Sequence, residues 1–161
     1  FFDLKADGMT SLNDAVVTAA KMLSKRPEKR RAIIVISDGA DNSSKYSQKK
    51  AMKAVLDVGA SVYTVDMSPK DAPPQEKALM QDALKSFAEK TGGTFVATPG
   101  GAEMRHAFES IVAELGNQYT IGYQPASAKE DGKFHSIEVR VARGGLKIRT
   151  REGYIAPKRK R

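Results

Sequence analysis

The 161-residue chain contains no cysteine, no tryptophan and only two histidines. Without cysteine it forms no disulfide bond and offers no thiolate as a nucleophile or metal ligand. The cellular compartment stays open, since many exported proteins also lack cysteine. No apolar run approaches the roughly 18 residues that a helix needs to cross a bilayer, so no transmembrane segment is expected.

The chain also lacks an initiator methionine, and its first residues, FFDLKAD, are not a signal peptide. We therefore expect a processed chain or a fragment excised from a longer one. A hydrophobic content of 40% and a charged content of 29% are ordinary for a globular domain, and the length suffices for one well-buried core with a small appendage.

A net charge of +8 is the main compositional bias, and the last four residues, KRKR at 158–161, contribute half of it. Such a tail could contact nucleic acid, anionic lipid or an acidic protein through electrostatics. A solvated terminus is the commoner explanation. Tyr119, Tyr123 and Tyr154 suit packing better than base stacking, so no nucleic-acid partner is expected.

The first part of the chain alternates between helical and strand patterns at short loop lengths. Apolar periodicity predicts helices from a cap at Thr10 or Ser11 to about residue 25, and over 47–58, 75–90 and 102–115. β-Branched runs predict strands at 32–37, 61–67 and 94–97. This alternation predicts an α/β domain over residues 1–116, with a Rossmann-like, mostly parallel sheet and helices on both faces.

Residues 117–156 are predicted to form a β-rich extension, followed by the basic tail at 157–161. Strand-like patterns occur at 119–123, 134–143 and 146–150, and Gly144-Gly145 suits a tight antiparallel hairpin. If Arg143 pairs with Leu146, Arg140 lies beside Arg149. That face is either a basic binding ribbon or an ordinary solvated surface.

The most informative motif is IIVISDGADN at 33–42, in which a buried strand delivers Asp38 to the carboxyl edge of the sheet, where ligands gather in such folds. Asp38 could bind a metal, cap a helix or form a turn. Thr10, where a helix begins, could bind a cation or cap that helix. An oxygen-only pair of this kind suits a hard cation such as Mg²⁺. Asp41 and Asn42 are expected to shape the loop.

Catalytic interpretations find little support. His106 falls in a predicted helix and His135 in a strand, and neither has a serine elbow or cysteine to pair with. No glycine-rich phosphate loop is present. Asp38 and Asp66 end successive strands, so a carboxylate pair in a metal-dependent hydrolase is conceivable, yet nothing supplies a nucleophile. We expect no enzymatic activity.

Several ordered blocks resemble the von Willebrand factor type A (VWA) domain. They are GMTSLNDA at 8–15, IIVISDGADN at 33–42 and GASVYTVD at 59–66. FAEKTGG at 87–93, QYTIGYQP at 118–125 and GLKIRTREGY at 145–154 are similar to the bacterial branch of VWA-related domains, which carries a β-rich segment after the last helix. The resemblance covers nearly the whole chain.

This resemblance implies a metal-ion-dependent adhesion site (MIDAS) for Mg²⁺ or Mn²⁺ at the carboxyl ends of the strands. Thr10 would be the threonine ligand and Asp38 the later aspartate, acting directly or through water. An Asp or Glu carboxylate from a protein partner would complete the coordination. The expected function is non-catalytic protein interaction or adhesion. The compartment is unknown, and only the family favours the bacterial envelope, periplasm or exterior.

One departure from the family is the missing Asp-x-Ser-x-Ser motif, which should precede Phe1 and supply three further oxygens. The missing strands would come from a second polypeptide, be cleaved after folding, or lie outside these 161 residues. Without them, residues 33–36 would form an exposed apolar edge prone to aggregation. The alternative function is a metal-independent scaffold that binds acidic partners through the basic C-terminal hairpin and tail.

Overall fold

The computed structural model describes residues 8–69, 71–97, 101–124, 130–146 and 148–158. Its elements are α1 (Leu12–Ser24), β1 (Arg31–Ser37), α2 (Gln48–Val58), β2 (Ala60–Asp66), α3 (Pro74–Thr91), β3 (Phe95–Ala97), α4 (Gly101–Gly116), β4 (Phe134–Ser136) and β5 (Gly153–Ile155). The four helices and the first three strands lie within a residue or two of the predicted bounds, which confirms that part of the sequence interpretation.

The first three strands form one parallel sheet in the order β1-β2-β3. In the register Ile33 pairs with Val62 and Ser37 with Asp66, so the ends of β1 and β2 meet at the same edge. A separate two-stranded antiparallel sheet joins β4 to β5. The mixed α/β class with a parallel sheet is therefore confirmed. Within the described residues β1 is an edge strand.

Helices cover both faces of the parallel sheet. On one face, α1, α2 and α3 enclose the larger core with inward residues of β1 and β2, among them Val16, Val55 and Phe87. On the other face, Ile111 of α4 packs against Tyr63 and Val65 of β2. The alternation of side chains along β2 divides its residues between these two cores.

The region from residue 117 onward departs from the predicted strand lengths. Residues 119–123 form no strand, and Tyr119 is 95% exposed. Described residues 137–143 and 148–150 form none either, whereas the short strand β5 was not predicted. An alternating apolar pattern does not by itself determine how far a backbone ladder extends. Residues 125–129 and Lys147 lie outside the described residues.

The predicted hairpin register is confirmed where the ladder forms. Phe134 pairs with Ile155 and Ser136 with Gly153, and an isolated bridge joins Asp131 to Lys158. The same register, continued toward the glycine pair, sets residue 143 opposite residue 146, as predicted.

The extension contacts the α/β part through a polar cluster of Tyr63, Thr94, Glu114, Gln118 and Arg149. The Tyr63 hydroxyl donates to Oε1 of Glu114 at 3.0 Å, and Gln118 donates to the Tyr63 oxygen at 2.5 Å. Arg149 pairs with Glu114 and donates to Thr94. Burial, followed by the hydrogen bond to Glu114, raises the pKa of Tyr63 to about 12. The cluster thus fastens the extension to β2, β3 and α4.

Candidate functional site

Asp38 follows the last residue of β1 and lies at the carboxyl edge of the parallel sheet. Its Oδ1 accepts a hydrogen bond from the backbone N–H of Ala40 at 3.0 Å, which shapes the turn after the strand. Its backbone carbonyl lies 3.2 Å from the Ser68 hydroxyl at the end of the neighbouring strand. The second carboxylate oxygen, Oδ2, accepts no hydrogen bond from the residues that the structure describes. One oxygen of Asp38 therefore forms the turn and the other remains available.

The loop after Asp38 is held directly against α3. Gly39 has a φ of +88°, and a Cβ placed there would lie 2.2 Å from the backbone carbonyl oxygen of Met80. Only glycine allows both that backbone conformation and that approach. The contact fixes the direction in which the loop leaves β1.

Thr10 lies just before α1 and is fixed through its main chain. Its N–H donates to Oδ1 of Asn42 at 2.8 Å, and its carbonyl accepts from the N–H groups of Asn42 and Ser43 at 3.0 and 3.1 Å. Its side-chain hydroxyl makes no hydrogen bond within the described ranges. Thr10 therefore does not cap α1, and its hydroxyl oxygen is available.

The cap of α1 comes from the loop instead of from the residues preceding the helix. The N-cap residue, Ser11, makes no side-chain cap hydrogen bond. Oδ2 of Asp41 accepts from the N–H of Asn13 at 2.9 Å, and the Ser44 hydroxyl accepts from that of Asp14 at 3.1 Å. The predicted cap position at Ser11 is therefore confirmed, but neither Thr10 nor Ser11 makes a side-chain cap hydrogen bond within the described residues. A helix needs acceptors for its first N–H groups but does not require them to be local in sequence.

These hydrogen bonds also decide what Asp41 can do. Its Oδ1 accepts from the N–H of Ser44 at 3.1 Å, so both carboxylate oxygens are engaged. Desolvation raises the pKa of Asp41, but the hydrogen bonds from Asn13, Ser43 and Ser44 outweigh it and the net pKa is lowered. Asp41 shapes the loop, as predicted, and each of its carboxylate oxygens already accepts a backbone hydrogen bond.

Two further carboxylates near the edge are engaged in the same way. The oxygens of Asp14 accept from the N–H groups of Lys45 and Tyr46 at 3.1 and 2.9 Å. Asp66 is 2% exposed, and its oxygens accept from Ser68 and from the Gln81 amide at 2.6 Å. Asp66 ends β2, one residue before the predicted strand end. Asp38 and Asp66 were the carboxylate pair conceivable for a hydrolase. Of the two, only Asp38 keeps an oxygen without a hydrogen bond from the described residues.

Thr10 and Asp38 are therefore brought to one end of the sheet, each with an available oxygen. Hydroxyl and carboxylate oxygens are the donors that Mg²⁺ and Mn²⁺ prefer, and such cations take about six ligands. Within the part of the chain that the structure describes, no three His, Asp or Glu side chains group together as a metal site. The donor set thus fits a hard cation as two ligands of an incomplete shell.

A groove of about 420 Å³ lies between β1 and α1, and Thr10 is among its lining residues. Its walls are mostly apolar and come from residues 9–12, from Ala15, Val16 and Ala19 of α1, and from residues 33–37 of β1. Ile34 and Ile36 remain 40% and 51% exposed beside it. The groove is open at the position where a neighbouring strand would pair with β1.

Two arginines of the basic face predicted for the hairpin contact acidic side chains. Arg140 makes two hydrogen bonds with the carboxylate of Glu138, at 2.7 and 3.1 Å. Arg149 pairs with Glu114. The predicted side-by-side arginines are thus each bonded to an acid, while residues 159–161 of the tail lie outside the described residues.

None of the helices within the described ranges combines the length and apolar character needed to cross a membrane.

No protein family model matches the chain, and a comparison with curated proteins gives no match. Among solved structures, the chain is similar to an uncharacterized membrane spanning protein from Vibrio fischeri, with 22% sequence identity and a TM-score of 0.43. The alignment covers 65% of this chain and 55% of that one, so the chain spans about half the length of that structure. At this level of similarity no binding property or activity carries over to this chain.

Proposed function

We propose that this chain is part of a VWA-type, Rossmann-like interaction module, without catalytic activity, that binds a partner carboxylate through a divalent cation. The observation that supports this most is the selective availability of oxygens at the carboxyl edge of the sheet. Asp14, Asp41 and Asp66 are engaged by backbone or side-chain donors, whereas the Thr10 hydroxyl and Oδ2 of Asp38 are not. These are the two residues that the family resemblance implies as ligands.

The roles of the two residues follow from their chemistry. Asp38 supplies one negative charge at the edge, and the Thr10 hydroxyl supplies a neutral oxygen without adding charge. When bound by so few protein charges, a hard cation retains Lewis acidity for an incoming carboxylate. Asp38 keeps its turn hydrogen bond through Oδ1 while Oδ2 is used, so binding requires no rearrangement of the loop.

The groove beside β1 offers a place for a further strand, which would supply the cation ligands that the described residues lack. A strand added to the free edge of β1 would gain main-chain hydrogen bonds and bury Ile34 and Ile36. Because Thr10 is among the residues that line the groove, such a strand would lie close to one of the two proposed ligands. The strand would belong either to preceding residues of the same polypeptide or to a second polypeptide.

Binding of Mn²⁺ and of an immobilised glutamate-containing peptide tests this function. Mn²⁺ should bind the chain, and Thr10→Ala and Asp38→Asn should each weaken that binding. Peptide capture should require Mn²⁺, be abolished by EDTA and persist in high salt. Capture that survives EDTA but is abolished by salt would instead identify the basic hairpin and tail as the binding surface, because exposed ionic contacts are screened.

A further inference from the structure

We infer that Asn42 is the positioning residue of the cation site: its side chain sets where Thr10 presents its hydroxyl. The inference rests on the proposed function, because it concerns how one proposed ligand is held relative to the other. Asn42 itself would not touch the cation.

Asn42 engages the Thr10 main chain from two sides. Its side-chain Oδ1 accepts from the Thr10 N–H at 2.8 Å, while its own N–H donates to the Thr10 carbonyl at 3.0 Å. The two bonds hold the two successive peptide units that flank the Thr10 Cα. The Thr10 hydroxyl takes no part in these two hydrogen bonds. It projects from a backbone that they hold in place.

Asn42 is also held in a fixed position relative to Asp38. Between the two, the N–H of Ala40 bonds to Oδ1 of Asp38, Gly39 packs on the backbone of α3, and Asp41 bonds to the start of α1. Thr10 precedes α1 and Asp38 follows β1, and these loop contacts tie the two positions together. A change at Asn42 therefore alters the distance between the two available oxygens.

The amide oxygen is the part of Asn42 that matters. Alanine at this position keeps the backbone bond to the Thr10 carbonyl but removes the acceptor for the Thr10 N–H, which is then left to water. Aspartate keeps an acceptor of the same reach. Asn117 offers a matched control, because its amide donates to the carbonyl of Ala113 at the end of α4, far along the chain from the site.

The experiment compares Mn²⁺ affinity, measured by calorimetry well below the unfolding temperature, for the wild-type chain and these variants. Asn42→Ala should weaken Mn²⁺ binding by at most about tenfold, because the Thr10 backbone must then be ordered on binding; tenfold corresponds to about 1.4 kcal/mol, the upper end for one hydrogen bond. Asn42→Asp should restore the affinity, and Asn117→Ala should leave it unchanged. Restoration by aspartate to the wild-type affinity and not above it separates positioning from attraction by the added carboxylate charge, and the unchanged affinity of Asn117→Ala separates it from a general loss of stability.

The outcomes distinguish this inference from the function on which it rests. If the wild-type chain binds Mn²⁺ and Asn42→Ala binds it equally well, the positioning role is overturned and the cation site stands. If Asn42→Ala and Asn117→Ala weaken binding equally, the effect is structural and the role is overturned as well. If the wild-type chain binds no Mn²⁺, the proposed function fails and this inference fails with it.

Discussion

The carboxylate of Asp41 caps helix α1 by accepting the backbone N–H of Asn13, with 2.9 Å between Oδ2 and N, although the two residues are 28 positions apart. The loop that follows β1 thereby fastens the start of α1. This contact places Thr10, which precedes the helix, at the same edge as Asp38, which precedes the loop. Capping and site geometry thus depend on the same few residues.

Removing this cap should destabilise the domain. Asp41→Ala leaves an N–H of the first helical turn without its acceptor, and the free energy of unfolding should fall by about 1 kcal/mol, as for other lost caps. Ser11→Ala is the matched control, because the Ser11 hydroxyl makes no cap hydrogen bond. Urea denaturation of both variants checks this prediction. Equal destabilisation by the two substitutions would contradict the long-range cap.

The carboxylate of Asp41 should also make the free energy of unfolding depend on pH in the acidic range. The pKa of Asp41 is lower in the folded chain than its model-compound value of 3.8. Its contribution is therefore present above pH 3.8 and is lost as the pH falls through the folded-state pKa. Asp41→Asn should lack this contribution. Urea midpoints measured with EDTA from about pH 6 down to about pH 2 should show the wild-type advantage shrinking with acid, and an unchanged advantage would refute the assignment.

Tyr63 should give the free energy of unfolding the opposite pH dependence in the alkaline range. Its pKa is raised from 10.0 to about 12 by burial and by the hydrogen bond to Glu114. The resulting stabilisation is complete below pH 10 and is lost as the pH rises toward 12, because the unfolded chain ionises first. The stability advantage of wild type over Tyr63→Phe should therefore shrink across this range. Tyr119→Phe, at a 95% exposed position, is the control and should show no such change.

The edge of β1 that pairs with none of the described strands should promote self-association. Ile36 is 51% exposed beside unpaired strand backbone, a combination that favours edge-to-edge pairing. Ile36→Lys should reduce concentration-dependent association, measured by light scattering. Leu79→Lys is the control, since Leu79 is 74% exposed but lies on α3, away from this edge. If both substitutions reduce association equally, general surface hydrophobicity is responsible and the edge is not.

The sequence predicted the α/β part well because its information there is local. Apolar periodicity and β-branched runs define the helices and the three parallel strands, and the strand ending at Ser37 correctly predicts where Asp38 lies. The cap of α1 could not be found in the same way, because the acceptor on Asp41 is distant in sequence. Local pattern favoured Thr10 or Ser11.

In the C-terminal extension, the sequence predicted the strand register but not the strand lengths. The position of the glycine pair at 144–145 predicts the register of β4 and β5 correctly, because a tight turn fixes which residues face each other. It does not predict how far the ladder extends. The acidic partners of the two arginines were also missed. Arg140 pairs with Glu138, which lies close to it in sequence, and Arg149 pairs with Glu114, which lies far from it.

Thermal unfolding with EDTA and with millimolar Mn²⁺, performed on the wild-type chain and on Asp38→Ala, tests the cation site most directly. A ligand at 100 times its dissociation constant stabilises the folded state by about 2.7 kcal/mol. Mn²⁺ should raise the unfolding temperature of the wild-type chain and leave that of Asp38→Ala unchanged. The same temperature for the wild-type chain in Mn²⁺ and in EDTA would contradict it.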